Sequence, residues 1–274
     1  MVIAAALFAL FAGFAQTSTV GDEVEIRKSY ETSSEMGGGT SSGSSSGHET
    51  LLERVVAIRN DGKELIYDLP KDATKEDRAR NWQFPAHVFQ PYRGRVVLLN
   101  PGDLKARLAN WLKSAGLDQS ACGRWLFTWT AFRIECEPDS VIDTINGFDL
   151  RATELREGAL YSDDIATTPG RLVQKISKAG VATFTAEMQV NPDVVQRARA
   201  ESDVVVGEIS KSPVSLEAAL MERRKESVSG TVSVTLEIDD AGQVRRRVRV
   251  IHLKTKRQDG STESETKTDT VERL

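Results

Sequence analysis

The fold is decided by residues 231–274, TVSVTLEIDDAGQVRRRVRVIHLKTKRQDGSTESETKTDTVERL. Apolar and polar residues alternate from Val232 to Ile238, which is the period of a strand with one buried face. Residues 240–242, Asp-Ala-Gly, suit a three-residue hairpin loop with glycine in the left-handed conformation. A second turn at residues 259–260, Asp-Gly, is followed by a third alternating segment. The stretch therefore predicts a three-stranded antiparallel meander.

The two turns also predict the strand register. The first loop is expected to place three apolar pairs opposite one another: Ile238 with Val244, Val234 with Val248, and Val232 with Val250. The second turn, taken as a two-residue loop, gives three further pairs: Lys256 with Glu263, Lys254 with Glu265, and Val248 with Val271. Each of the two opposite-charge pairs would contribute roughly 0.2–1 kcal/mol.

The last strand, residues 261–273, is polar on both faces. Threonine and serine occupy the even positions from 262 to 270, and charged residues occupy the odd positions from 263 to 269. The threonines favour extended backbone, but neither face suits a dry core. We therefore expect an ordered strand at or near an edge of the sheet, where charges discourage unwanted pairing.

The remaining chain predicts more strands before and several helices between. Strands are expected in the N-terminal quarter, and helix starts are indicated by four capping sites: Asn100-Pro101, Asp139, Asn191-Pro192 and Ser212-Pro213. Strands, then helices, then strands favour an α+β fold. In it, an antiparallel sheet is built from N- and C-terminal meanders, with amphipathic helices inserted between them. Residues 37–47 are almost entirely Gly and Ser, and a flexible loop is expected there.

The N-terminal segment predicts export. Residues 1–15 are apolar, lack Lys and Arg, and end in Gly13-Phe14-Ala15, a small-x-small cleavage site. We expect a signal peptide at 1–15 and a single domain at 16–274, exported to the periplasm or the extracellular space. About 14 apolar residues are too few for a transmembrane span. A buried N-terminal helix remains the alternative.

Two cysteines, Cys122 and Cys136, are the only ones in the chain. In an oxidising compartment they are expected to pair. A straight strand would separate them by about 46 Å and a helix by about 21 Å, whereas a disulfide needs Cα atoms within about 7 Å. The segment must then fold back, and its aromatic and β-branched content favours β structure with a reversal near Trp129. A helix stays open if the two do not pair with each other.

Composition and motifs exclude several functional classes. The 36 basic and 40 acidic residues are interspersed, which argues against binding to nucleic acid or to anionic membranes. With three His in the chain and none near the cysteines, no metal site is predicted, and no cofactor motif is present. The adjacent acids Asp163 and Asp164 are expected to face solvent.

Two features remain as candidate ligand-binding residues. Trp125, Phe127 and Trp129 would form an aromatic row on one strand face, able to stack on sugar rings or to bury an acyl chain, although core packing is the alternative. Arg246 is expected on the apolar face between Val244 and Val248. There it needs a carboxylate partner, or it must extend its head group past the sheet rim.

These observations favour an exported cell-envelope protein of a non-enzymatic binding or assembly type. Its partner would be an envelope protein or an apolar, lipid-like ligand, held in a cavity of about 300 Å³ or more. One alternative is a periplasmic hydrolase whose site, including His87 or His252, is assembled only by the fold. Another is a structural partner protein that uses an edge of the C-terminal sheet for strand addition.

Overall fold

The computed structural model of the protein describes residues 18–37, 41–127, 131–151, 154–176 and 182–274. The predicted signal peptide at 1–15 lies outside these residues. Five helices are present in the described chain: α1 (Lys75–Arg80), α2 (Pro101–Ser114), α3 (Ser140–Gly147), α4 (Pro192–Ile209) and α5 (Leu216–Arg223). Among them, none combines the length and the apolar character needed to cross a membrane.

The dominant element is a ten-stranded antiparallel sheet. Its strands are β1 (Glu23–Met36), β2 (Ser42–Arg59), β3 (Gly62–Asp68), β4 (Ala86–Pro91), β5 (Val97–Leu98), β10 (Val173–Ile176), β11 (Ala182–Gln189), β12 (Ser227–Ile238), β13 (Val244–Lys256) and β14 (Thr262–Arg273). The order across the sheet is β10-β11-β12-β13-β14-β1-β2-β3-β4-β5. Two small hairpins pair β6 (Trp125–Phe127) with β7 (Ala131–Arg133), and β8 (Leu160–Tyr161) with β9 (Gly170–Arg171). The predicted α+β class is confirmed.

The core lies on one face of this sheet. Val232, Val234 and Leu236 of β12 are buried, and they face Met188, Ala186 and Phe184 of β11. The residues between them on β12 point to the other face, where they are half-buried, as the period-2 pattern predicts. The helices bring further apolar side chains to the same buried cluster: Leu104, Leu108 and Leu112 of α2, Val141 and Ile145 of α3, and Val195 of α4.

Three of the four predicted helix starts are confirmed, because α2, α3 and α4 begin directly after Asn100, Asp139 and Asn191. The fourth is wrong. Helix α5 begins after Ser215, whose hydroxyl accepts a hydrogen bond from the Ala218 N–H at 3.2 Å. Ser212 instead closes the preceding helix, since its N–H donates to the Gly207 carbonyl at 2.9 Å.

The first predicted hairpin register holds only beside its turn. Ile238 faces Val244 as expected, but a bulge follows, so that Val234 faces Arg249 and Val232 faces Ile251. Arg245 is the extra residue on β13. Three-residue loops with a left-handed glycine commonly continue into such a bulge, and one inserted residue shifts every later pair.

The second predicted register is wrong by one residue. The Arg257 N–H donates to the Ser261 carbonyl at 2.9 Å, which makes residues 258–260 a three-residue loop. Lys256 therefore faces Thr262, Lys254 faces Ser264, and Val248 faces Thr270. The cause is local, because the Asp259 carboxylate accepts the Ser261 N–H at 2.8 Å and Gly260 takes a positive φ of 82°.

Strand β14 is ordered, but the prediction that it lies at an edge is wrong. It lies between β13 and β1, near the middle of the sheet. Its charged face is satisfied by arginines rather than by solvent. Arg199 of α4 lies 3.3 Å from Glu263 and 3.4 Å from Glu265, and Arg249 of β13 lies 3.5 Å from Asp269. Ion pairs from neighbouring elements thus allow a polar strand to occupy a central position.

Candidate functional site

Strand β2 is paired differently along its two halves. Residues 52–54 pair with both β1 and β3, and β2 then continues along β3 to Arg59, whereas residues 42–50 pair, among the described residues, with β1 alone. We call residues 42–50 the free edge. The composition of residues 37–47 predicts a flexible loop. That prediction is wrong for residues 42–47, which form a strand, while residues 38–40 lie outside the description.

The free edge presents backbone groups that its own sheet does not use. The Met36 N–H donates to the Ser41 carbonyl at 2.9 Å, which marks a hydrogen-bonded pair of the β1–β2 ladder. Such pairs alternate along an antiparallel ladder, so the odd residues of the free edge bond to β1. The even residues, from Ser42 to Thr50, direct their N–H and C=O groups away from β1. In the part of the chain that is described, no backbone partner meets them.

A proline marks where the free edge begins. Leu52 faces Asp68 at the end of β3, and the next hydrogen-bonding position would place residue 70 opposite Thr50. Residue 70 is Pro70, which has no N–H to donate to the Thr50 carbonyl. The chain then turns into α1, with the Ala73 N–H bonded to the Pro70 carbonyl at 3.0 Å. Among the described residues, the first half of β2, residues 42–50, is therefore left without a neighbour on the side away from β1.

The small residues of the free edge have a packing role at one position. Gly47 lies opposite Tyr30 of β1. A Cβ atom on Gly47 would lie 2.7 Å from Tyr30 Cε1, so the tyrosine ring occupies the space that a larger residue would fill. The Tyr30 residue is nevertheless 44% exposed. An aromatic surface therefore lies beside the unpaired backbone.

A cleft of about 720 Å³ lies next to the free edge. It is lined by His48, Glu49, Thr50, Leu51, Leu69, Pro70, Asp72, Ala73, Asp77, Asn81, Gln83, Phe84, Thr144 and Phe148. Its lining thus combines an apolar surface with three carboxylates. The apolar part includes Phe84 and Phe148, both almost fully buried as residues.

The carboxylates of the cleft are Glu49, Asp72 and Asp77. Within the described residues none of them forms a salt bridge. The Asp77 carboxylate accepts two hydrogen bonds from Thr74, one from its hydroxyl at 2.7 Å and one from its backbone N–H. Both bonds lower the pKa of the Asp77 carboxyl. Two cations lie near the cleft without lining it: the Lys28 ammonium is 5.8 Å from the centre of the Phe148 ring, and the charge of Arg80 also lowers the pKa of Asp77. The cleft is therefore predominantly acidic.

A second cleft, of about 380 Å³, lies between α4 and β13. Its apolar lining comprises Ile165, Val194, Val195, Ala198, Ile251 and Leu253. Four polar residues, Arg199, Ser202, Glu265 and Lys267, complete it. It exceeds the volume of about 300 Å³ that small-molecule pockets start from.

The predicted disulfide is confirmed. Cys122 and Cys136 are bonded, with their Cα atoms 5.6 Å apart. The segment between them contains the β6–β7 hairpin, in which Trp125 faces Arg133, so the β interpretation is confirmed and the helical one is wrong. The predicted reversal near Trp129 falls in residues 128–130, outside the description.

The predicted aromatic row is only partly described. Trp125 is half-buried in β6, which lies close to α4. Phe127 ends β6, but its side chain and all of Trp129 lie outside the described part of the structure. Ligand binding by these three aromatic residues therefore stays a prediction.

Arg246 does not lie on the apolar face. The bulge beside Ile238 rotates it to the opposite face, where it is paired with Glu237. Its Nη1 donates to Glu237 Oε1 at 2.8 Å, and its Nε lies 3.6 Å from Glu272 Oε2. The predicted placement on the apolar face is wrong, whereas a carboxylate partner, Glu237, is present.

Neither histidine named for the hydrolase alternative forms a catalytic arrangement in the described residues. His87 Nε2 lies 3.1 Å from Glu64 Oε2, with no serine or cysteine partner among its described contacts. His252 Nδ1 lies 3.0 Å from the Thr266 hydroxyl, with no carboxylate partner there. A search of the same residues finds no cluster of His, Cys, Asp and Glu that could hold a metal ion.

The two adjacent acids are not both exposed to solvent as expected. The Asp163 side chain is 5% exposed, and its two carboxylate oxygens accept hydrogen bonds from Arg249 Nε and Nη2, both at 2.7 Å. Burial opposes ionisation of Asp163, but the Arg249 guanidinium outweighs it and holds the pKa of this carboxyl below its usual value. Asp164 is exposed, 2.8 Å from the same guanidinium. This group anchors a loop to β13.

Comparison with known proteins gives little further information. No family model matches the chain, and a search of curated proteins finds no match. Among solved structures, a conserved protein of unknown function with a hot dog fold from Alicyclobacillus acidocaldarius is 10% identical. That alignment covers 96% of this chain and 83% of the other, with a TM-score of 0.12. A similarity at this level carries no argument about fold or function.

Proposed function

We propose that the protein is an exported cell-envelope protein and acts as a non-enzymatic binding or assembly module. In this proposal an extended segment of a partner is added as a new strand along the free edge. The observation that carries the proposal is the outward backbone of residues 42–50, which has no partner among the described residues and lies next to the acidic cleft. The edge involved is that of β2, since the C-terminal strand β14 is central.

The length of the free edge favours it over the other edges. In the described residues the terminal strands β10 and β5 contain four and two positions, whereas the free edge spans nine positions of β2. Each backbone hydrogen bond to an added strand would contribute about 0.5–1.5 kcal/mol. Proteins commonly protect edges with lysine, proline or a bulge, and residues 42–50 contain no lysine or proline. Their small side chains leave the backbone open to a partner.

Export is supported by the apolar N-terminal segment and fits the disulfide. Disulfides persist in oxidising compartments such as the bacterial periplasm and the extracellular space. The Cys122–Cys136 bond is compatible with such a compartment. Mapping of the mature N-terminus tests this part of the proposal, with cleavage expected after Ala15 and an intact Met1 as the opposing result.

The strand-addition proposal is tested with two variants of one residue. Ser46→Pro removes an outward N–H and leaves the bonds of the β1–β2 ladder in place, since proline is tolerated at a sheet edge. Ser46→Thr is the matched control, because it keeps the N–H and favours a strand. We expect proteins that copurify from the native envelope to be lost from the proline variant and kept by the threonine variant.

Amide hydrogen exchange of the purified complex supplies the second measurement. Binding at the free edge is expected to slow exchange of the N–H groups of Ser44, Ser46 and His48. The odd residues between them, already bonded to β1, should change little. Equal retention of the partner by both variants, with no change in exchange at these three amides, would rule out strand addition.

A lipid-like ligand is a second candidate function, favoured by the apolar cleft between α4 and β13. A fluorescent fatty acid added to the full chain is the probe. Ala198→Phe is expected to fill the cleft and to weaken probe binding at least about 10-fold, the scale set by steric exclusion of several carbon atoms. Glu201→Gln on the exposed side of α4 is the control. Equal binding by the two variants would remove this candidate.

A further inference from the structure

We infer that the strand captured by the free edge carries a basic side chain two residues away from an aromatic or large apolar one. This inference rests on the proposed function, because it names the chemistry of the partner at the same edge. It follows from which side chains of β1 and β2 lie on the face that an added strand would share with the cleft.

Side chains of β2 alternate between the two faces of the sheet. Leu51 is buried in the core, so Glu49 and Gly47, two and four residues before it, point to the same face. The cleft lies on this side, since Glu49 and Leu51 line it together with Phe148. A residue of an added strand that lies directly opposite Glu49 would place its Cβ about 4.5–5.5 Å from that of Glu49.

Charge determines the preferred residue opposite Glu49. Three carboxylates line the cleft, and none of them has an ion-pair partner among the described residues. Lys28 is the residue opposite Glu49 on β1, but its ammonium is directed toward the Phe148 ring. A Lys or Arg of the partner would complement Glu49, Asp72 and Asp77, whereas an acidic residue would be repelled.

The shape of the surface determines the residue two positions away. A residue of the added strand that lies opposite Gly47 meets no side chain on β2. Beyond Gly47, on β1, lies the partly exposed Tyr30 ring. An aromatic or large apolar side chain can pack on that ring, which favours offset or edge-to-face contacts. Because Glu49 and Gly47 are two residues apart, their partners are also two apart, in a parallel or an antiparallel strand.

The same requirements argue against a second copy of this chain as the occupant. Symmetric pairing of two free edges would place residues 42–50 of one copy against residues 42–50 of another. That segment, SGSSSGHET, contains no Lys, no Arg and no aromatic residue other than His48. It therefore supplies neither the basic nor the aromatic side chain, and the inferred partner is a different polypeptide.

The inference is tested with synthetic nine-residue peptides and the full chain. The probe is fluorescein-labelled Thr-Val-Thr-Phe-Thr-Lys-Thr-Val-Thr, together with a version in which Phe and Lys exchange places to allow for either strand direction. One control peptide replaces Lys with Glu, a second replaces Phe with Ser, and a third is N-methylated on alternate amides. Binding is followed by fluorescence anisotropy at low salt, where surface charges are least screened.

We expect at least one Lys peptide to bind about 10-fold or more tightly than its Glu counterpart, because like charges in contact are strongly disfavoured. Glu49→Lys should invert that preference, and Glu49→Gln should reduce it. Tyr30→Ala should remove the advantage of Phe over Ser and leave the preference for Lys. Thr32→Ser, two residues from Tyr30 on the same face of β1 and outside the free edge, is the control and should change neither preference.

The outcomes separate this inference from the proposed function. Equal binding of Lys and Glu peptides, with loss on N-methylation, would overturn the inference and support strand addition. A second result would also overturn the inference: no peptide binds, and sedimentation shows a dimer in which amide exchange is slower at Ser44, Ser46 and His48. The occupant of the free edge would then be a second copy of this chain. If native partners also ignore Ser46→Pro, both the inference and the proposed function fail.

Discussion

The two halves of β2 share one strand and one neighbour, β1, yet differ in almost every other respect. Residues 51–59 include Leu51, Glu53 and Val55, which are buried against β3 and the core. In residues 42–50 most positions are exposed, and only Gly47 and Thr50 are half-buried. The comparison shows that a long neighbouring strand can order a Gly/Ser segment that has no core of its own.

The difference has a consequence for local stability. The buried half of β2 is stabilised by apolar burial, by hydrogen bonds to β3 and, as far as Val55, by hydrogen bonds to β1 and the residues just before it, whereas the free edge relies on the β1 ladder. Segments with few buried contacts and exposed backbone hydrogen bonds open at low free-energy cost, and binding regions are commonly drawn from them. We therefore expect mutations in the two halves to separate effects on stability from effects on binding.

The largest expected effect is on the buried half. Leu65 of β3 is 1% exposed and faces Val55 of β2 on one side and Val88 of β4 on the other. Leu65→Ala should lower the free energy of unfolding by about 2–5 kcal/mol, through lost burial and a residual cavity. Urea unfolding followed by circular dichroism measures this change.

The matched substitution on the free edge is Ser44→Ala. It removes an exposed hydroxyl and should change the free energy of unfolding by less than about 0.5 kcal/mol. If Ser44→Ala destabilises the protein as much as Leu65→Ala does, the free edge is not the weakly packed half of β2, and the comparison is wrong.

A smaller effect is expected at the buried hydrogen bond between Tyr67 and Glu53. The Tyr67 hydroxyl donates to Glu53 Oε2 at 2.6 Å, and Arg273 lies 3.6 Å from the other oxygen. Tyr67→Phe leaves that carboxylate oxygen without its donor, which should cost about 1–3 kcal/mol at neutral pH. Urea unfolding of the two proteins at pH 7 measures the cost.

The same pair predicts a dependence on alkaline pH. Burial, with the Glu53 carboxylate, raises the pKa of Tyr67 well above its ordinary value of 10.0. The Tyr67 hydroxyl ionises near pH 10 in the unfolded chain but stays protonated in the folded protein. The free energy of unfolding is therefore at its full value below pH 10 and declines as the pH rises above 10. Tyr67→Phe should show a weaker decline between pH 9 and 11 than the unchanged protein. Parallel declines would contradict the raised pKa.

Much of the fold could be predicted from local patterns. Alternation in residues 232–238 predicts β12, and capping residues such as Asn191 predict helix starts, because both signals act within a few residues. The registers could not be predicted, since the bulge at Arg245 and the Asp259 side chain each shift the pairing by one residue. Whether one extra residue is inserted into a strand pair depends on side-chain hydrogen bonds, which the amino-acid composition does not specify.

The central position of β14 and the free edge depend on contacts that are distant in sequence. Polar side chains on both faces indicated an edge strand, but Arg199, 64 residues before Glu263, provides the balancing charge. The Gly/Ser tract has low strand propensity, and its extended conformation requires β1 as a partner. Pro70 was the one local indication of the free edge, and it could be interpreted only after β3 was known to end at Asp68.

The smallest effect is expected from Pro70→Thr, which tests why β2 is divided into two halves. The substitution adds an N–H where pairing with Thr50 would continue, and one hydrogen bond contributes about 0.5–1.5 kcal/mol. Loss of proline also makes the unfolded chain more flexible, which lowers the free energy of unfolding by about 0.4–1 kcal/mol and offsets the gain from the hydrogen bond. The free energy of unfolding should therefore change by less than about 1 kcal/mol, although the local structure changes.

Amide exchange and peptide binding reveal that local change. The new N–H of residue 70 should be protected from exchange by its hydrogen bond to the Thr50 carbonyl. Thr50, which is adjacent to Glu49, would then no longer be available to an added strand. Peptide affinity should then fall, while Asp72→Asn, which alters charge in the same cleft but adds no backbone donor, should leave the amides at residues 48–50 unchanged. Rapid exchange at residue 70 with unaltered peptide affinity would mean that the turn into α1, and not the missing N–H of Pro70, keeps β3 away from the free edge.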